Sequence, residues 1–455
     1  MPPTFGGVLN SGKGYLSGAV GFAKGIAQPG QRTVKATFAQ VSGAPLARTS
    51  HSVSVVKGRA YIFGGETAEG QIADNDMHVV ILPSSGVSEA DYYTITPKAA
   101  KEDGGVPAAR KGHSAVVVGD DIFIFGGDIE GGAEENGRVW VFSTSRSNWT
   151  PLDPANAEAP APPSRSFQAA AASEEPTPKE TRTDQTTLPQ QPPDPSLVVP
   201  EPPEPGTWGT IFISGGKGAD GELLHDLWTF DIRSRIWNKL AAPPGPARLA
   251  AALACVGSRL YLFGGVNNTE PVPTGVSHFD VSGLWRFAES GGPPARTLSG
   301  EWETIQHEEG AGPANRSGAA LVEVTAGKSG HYLLLVGGLK PDVQEEGLSY
   351  LDDVWVFQLP TTVAATPAKN TSQNTIKLDT KDAHWSEVHY QYLNDEGDVV
   401  PERPASLAGT KGMDTRIGFG ATKGTEVDGA SVVIWGGADD TGKILDNGWL
   451  ITVDR

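Results

Sequence analysis

The chain has one cysteine, Cys255, among 455 residues. That excludes an internal disulfide framework and any Cys-cluster metal site, and it predicts a reduced, cytoplasmic protein. Cations are scarce: 36 Lys and Arg stand against 54 Asp and Glu, a net charge of −18. With no Lys/Arg run, this composition argues against binding nucleic acid through backbone phosphates. No apolar run approaches the ~18 residues that a membrane span requires, and glycine and lysine break up every apolar stretch of residues 1–30, so no signal peptide is read there. The nine histidines show no HExxH or comparable metal spacing.

Glycine and proline are plentiful but uneven. Fifteen of the 35 prolines fall in residues 151–206, with few aromatics, and 173–206 reads as a disordered insertion that cannot build its own core. Residues 1–33 read as a glycine-rich appendage. Within it, Leu16, Ala19, Val20, Ala23 and Ile26 recur at helical spacing, and a stripe of Gly14, Gly18, Gly21 and Gly25 gives segment 11–27 a face for weak membrane or partner contact. The phosphate-loop-like stretch at 7–14 fails because Gly14 stands where a hydroxyl must hold Mg²⁺.

Six double glycines punctuate the rest: Gly64-Gly65, Gly126-Gly127, Gly215-Gly216, Gly264-Gly265, Gly337-Gly338 and Gly436-Gly437. Each ends an apolar, β-branched or aromatic run such as Ile122-Phe123-Ile124-Phe125, where the backbone must bend tightly. Upstream of each lies a strand of small residues opened by an arginine: Arg48, Arg110, Arg165, Arg248, Arg316 and Arg416. Downstream comes a strand with an aromatic centre, as at Trp140, Trp228 and Trp355, and for the fourth repeat Leu284-Trp285-Arg286-Phe287. A last strand opens at Trp149, Trp237, Trp302 and Trp385, with Tyr92 or Tyr93 in the first repeat. The interval from Gly215 to Gly264 is the shortest and nearest a bare unit; inserts are expected near 288–300, 360–382 and 391–411.

This pattern resembles the kelch repeat, with its paired glycine and spaced aromatics in four strands per blade. The resemblance covers residues 35–455 apart from inserts. It implies an all-β, six-bladed kelch β-propeller of four antiparallel strands per blade over residues 34–455. The sixth repeat ends without its tryptophan strand, and Val34–Val41, with Phe38 for Trp, reads as that strand; supplying it closes the ring and removes open edges.

Loops after the double glycines and segments before the arginines then share one face, while the proline-rich insert projects from the other. Two readings of the arginines stand side by side. Arg48, Arg110, Arg248, Arg316 and Arg416 are candidate ligand-binding residues at a channel mouth, where guanidinium groups grip carboxylate, sulfate or phosphate; alternatively, each is held by an acid of the neighbouring blade. Acidic loops rim the mouth, including Asp128, Glu130, Glu134, Asp220, Glu222, Asp439 and Asp440. The expected function is a binding or scaffold module that acts as a monomer and holds a protein or peptide partner over this mouth, with no catalytic residues and no cofactor. An alternative follows from a second resemblance. Plant specifier proteins are kelch propellers that use ferrous iron through a Glu-x3-Asp-x3-His motif. Glu222 and Asp226 match its first two places, but Phe230 holds the histidine place, so His225 would have to serve. That reading implies Fe2+ and a small anionic substrate. Radical-copper oxidases with a kelch-like propeller need a cysteine–tyrosine link, whereas Cys255 lies inside an apolar strand and reads as a buried thiol.

Overall fold

The computed structural model describes residues 34–41, 44–68, 70–82, 91–177, 208–267, 269–270, 272–284, 300–308, 310–326, 330–342, 347–363, 377–394, 398–401, 413–424 and 430–454. The expectations for segments 1–33 and 11–27, and for nearly all of 173–206, lie outside them. No helix among the described residues is long and apolar enough to cross a membrane.

Five blades are four-stranded antiparallel sheets. Blade 1, for example, runs Ser52–Val56, Arg59–Phe63, Met77–Ile81 and Asp91–Ile95, in that order from inside to outside. The innermost strands of blades 1 to 6 touch one another in sequence, and the sixth touches the first, so the ring is closed. Sheets with two apolar faces must cover both. The structure does this with six hydrophobic cores, each lying between two neighbouring blades. The expected aromatics glue these seams. The Trp149 ring lies 5.0 Å from Phe142 of its own blade and 5.1 Å from Phe63 of the preceding one. Trp237 repeats this with Phe230 and Phe125, and Trp385 with Phe357 and Phe263. In blade 1, Tyr92 takes the corresponding register, opposite Val80.

Blade 6 is closed by the N-terminal strand. Lys35–Val41 pairs antiparallel with Gly448–Asp454 along its whole length, and Phe38 and Ala36 are fully buried. Two expectations are corrected. The third strand of blade 4 is Val276–Asp280, not the Leu284–Phe287 run; Phe279 supplies its aromatic and packs tilted against Trp302, ring centroids 5.3 Å apart. Residues 285–287 lie outside the described segments. The start of the expected 391–411 insert is no loop: His389–Leu393 adds to the closing strand in parallel and Val399–Val400 adds beyond it, making blade 6 a six-stranded sheet. The chain reaches that position directly from blade 5's outer strand, Trp385–Glu387.

Candidate functional site: the arginine face

In every blade, the segment opened by arginine pairs antiparallel with the residues just after the double glycine. The partners are Thr49 with Glu66, Lys111 with Asp128, Ser166 with Lys217, Leu249 with Val266, Ser317 with Leu339, and Ile417 with Ala438. These segments therefore share one face, as the alternation of strands requires. Two residues after each arginine, the chain turns left-handed: Ser50, Gly112, Phe167, Ala250, Gly318 and Gly418 have φ between 52° and 65°. Their amides and carbonyls link blade to blade around the channel: Gly318 donates to Ala250, Ala250 to Phe167, Phe167 to Gly112, Gly112 to Ser50, and Ser50 to Gly418. A left-handed Phe is a costly conformation; Gly112 makes room for its ring, since a Cβ there would lie 2.9 Å from Phe167.

The second glycine of a doublet donates its N–H to the next blade's arginine carbonyl, from Gly65 to Arg110, Gly127 to Arg165, Gly216 to Arg248, Gly265 to Arg316, and Gly437 to Arg48. The same close approach explains the first glycine: a Cβ on Gly64 would stand 2.3 Å from the Arg110 carbonyl. The arginine side chain then turns back into its own blade. All six guanidinium groups donate to the carbonyl of their own first glycine, at 2.9 to 3.3 Å.

Five of the six also meet a carboxylate. Arg110 grips Glu135 with two bonds of 2.8 Å, Arg165 grips Asp226 at 2.7 and 2.8 Å, and Arg316 grips Asp353 at 2.5 and 3.0 Å. Arg48 reaches Asp74 at 2.9 Å, and Arg416 reaches Asp414 at 3.3 Å and the Asn447 amide oxygen at 3.1 Å. The same carboxylates accept a third-strand indole N–H: Trp140 to Glu135, Trp228 to Asp226 and Trp355 to Asp353. In blade 1, His78 stands in the tryptophan position with its Nε2 2.9 Å from Asp74. Burial on its own raises the Asp226 and Asp353 carboxyls, yet the bonds from Arg165 and Arg316 hold both below the ordinary carboxylate range. These arginines are nearly wholly buried. For Arg48, Arg110, Arg316 and Arg416, and for Arg165, the geometry is that of internal braces; the expectation of an acid from the neighbouring blade is corrected, because each side chain turns back into its own blade and meets an acid there. Arg248 meets no carboxylate among the described residues; its partners are the carbonyls of Pro244, Pro246 and Gly264.

The iron residues are placed apart in role. Both Asp226 oxygens are engaged by Arg165 and Trp228. Glu222 is exposed, and the His225 Nε2 bonds the Pro243 carbonyl at 2.7 Å. Among the described residues no group of His, Cys, Asp and Glu is disposed to hold a metal. These residues do not fit an iron centre.

The rim is predominantly acidic, with Lys443 exposed beside the acids of the last loop. Glu130, Glu134, Asp220, Glu222 and Asp440 are exposed on the loops that follow the double glycines. Glu66 is tied to Lys111 at 2.5 Å. Because the arginine charges are neutralised inside the blades, with Arg248 the exception, the face presents acid to solvent.

Residues 31–176 match the KLHDC2/KLHL20/DRC7 Kelch-repeats domain. That stretch of the chain is similar to kelch repeats. Human Kelch domain-containing protein 3 is 28% identical over 249 residues, 51% of this chain and 51% of that protein. The Thlaspi arvense N-(sulfonatooxy)prop-2-enimidothioate sulfolyase is 31% identical over 96 residues, 19% of this chain and 28% of that protein. The solved structure of YjhT aligns with a TM-score of 0.51 at 12% identity, covering 91% of this chain and 99% of that one, a likeness of fold. The chain spans about half or less of the length of the curated relatives it matches first.

Proposed function

We propose that this propeller is a cytoplasmic, monomeric binding module that holds a basic segment of a protein partner over the arginine face. Kelch propellers typically serve protein interaction. The observation that carries the choice of face and partner is the sign of its charge. The guanidinium groups are mostly compensated from within, while Glu130, Glu134, Asp220, Glu222 and Asp440 reach solvent from loops of several blades. Loops on a rigid scaffold are where recognition concentrates, and a predominantly acidic face steers and orients a basic partner.

The test is affinity capture with identified proteins, comparing wild type with a rim variant (Glu130→Lys, Glu134→Lys, Asp220→Lys, Glu222→Lys) and an opposite-face variant, Asp120→Lys. The rim variant loses partners that the opposite-face variant keeps, and wild-type capture weakens with salt. Partners that survive the rim reversal and vanish with Asp120→Lys would place recognition on the other face.

A further inference from the structure

We infer that Arg248 is a carboxylate-binding site, the one position in the ring where the partner of a buried guanidinium comes from outside the described fold. The inference rests on comparing the six blades and is independent of the partner reading.

In blades 3 and 5 the carboxylate that grips the arginine, Asp226 or Asp353, immediately precedes the third strand. In blade 4 that place belongs to Gly275, ahead of Val276–Asp280. The indole that completes the cluster is gone as well, because Ser277 stands at the position of Trp228 and Trp355. Carboxylate and indole are thus absent together, yet the cation remains, and it is only 7% exposed. Its donors go to neutral oxygens: Nε to Pro246 at 3.3 Å, Nη1 to Gly264 at 3.3 Å, and Nη2 to Pro244. A guanidinium has five N–H groups. Two N–H groups are left over, one on each Nη; at Arg110, Arg165 and Arg316 it is these two nitrogens, Nη1 and Nη2, that together close on a carboxylate. A buried charge without a counter-charge is costly. Burial brings Arg248 down to about 10, which leaves it charged at neutral pH.

On the loop side the group is covered by Gly245, which is itself exposed to solvent. The Pro244 and Pro246 carbonyls flank the group, and a Cβ on Gly245 would stand 3.0 Å from Nη2 and 2.5 Å from Pro273. A planar, bidentate monoanion matches the two leftover donors, which is the geometry of a carboxylate. It can arrive as a free small acid or on an acidic side chain of another protein.

Saturation-transfer NMR with two probes separates these sources: formate, and the end-blocked peptide acetyl-Gly-Asp-Gly-amide. Each is measured on the full chain as wild type, Arg248→Met and Arg138→Met, the last removing a surface arginine. Formate binds wild type and Arg138→Met, raises their thermal midpoint, and does neither for Arg248→Met. Binding of the peptide alone assigns the carboxylate to a carrier chain. Failure of both probes on wild type, or equal binding by Arg248→Met, overturns the site. So does a fall in midpoint for Arg248→Met as large as that of Arg316→Met, which would make Arg248 a brace between carbonyls.

Discussion

At the scale of single residues, one position carries opposite predictions from two accounts. If Asp226 were a metal ligand, its loss would leave the fold intact. As the brace of Arg165, its loss strands a buried cation, which costs about 3–5 kcal/mol. Asp226→Ala therefore lowers the denaturant midpoint sharply, whereas Glu222→Ala, on an exposed side chain, leaves it within about 0.5 kcal/mol. Urea unfolding of both variants checks this. The histidines three residues after the first two arginines carry a pH prediction. His51 and His113 are buried, and burial followed by the nearby arginines pushes His51 down to about 3 and His113 well below its usual value. The unfolded chain takes up these protons near pH 6.5 and the folded chain does not. Stability is thus intact above pH 6.5 and declines as pH falls toward 4, ahead of the window in which the depressed carboxylates Asp226 and Asp353 titrate. Blade 3 already carries Gln168 at this position. His113→Gln should flatten the pH 4–6.5 slope of the thermal midpoint, and an unchanged slope would refute the assignment.

At the scale of strands and clusters, the repeat was legible because its glycines and arginines answer to backbone geometry, which is local. The brace partners were legible only in part. Asp226 and Asp353 stand two residues before their tryptophans, but Glu135 stands five before Trp140 and Asp74 four before His78. Loops of different length bring a carboxylate to one spatial point, and a fixed spacing misses it. In blade 4, Leu284-Trp285-Arg286-Phe287 fits the aromatic template better than Val276-Ser277-His278-Phe279. The latter forms the strand because Phe279 and Val276 fill cores on either side of the blade. The strand His389–Leu393 left no local signal, since it pairs in parallel with a segment at the opposite end of the chain. Its consequence is that the closing strand is held from both sides. Phe38 stacks at 5.6 Å on Tyr390 and meets Trp449 edge-on at 6.3 Å. Phe38→Ala should cost about 3–5 kcal/mol, and deleting residues 34–41 should lower the thermal midpoint further by opening the ring. A midpoint unchanged in calorimetry would mean that blade 6 stands without its N-terminal strand.

At the scale of the whole molecule, no blade owns a core; the six cores lie between blades. A blade removed from the ring exposes both apolar faces, so stability belongs to the closed circle and unfolding should be cooperative around it. The same logic says which segments the circle does not need. Ser173 and Thr210 already face each other as the first rung between the two inner strands of blade 3, and the Thr210 hydroxyl donates to the Glu175 carbonyl at 2.7 Å. The rung is closed before residues 178–207 begin, on the face opposite the arginines. Replacing 178–207 with a short Gly-Ser linker shortens the loop that folding must close, and closure entropy changes only by about 0.6 kcal/mol per doubling of length. The excised protein should melt at the wild-type temperature or slightly above it, with an equally sharp transition, and should keep its partners in the capture experiment. A large loss of stability would instead show that the insert packs on the ring and belongs to its core.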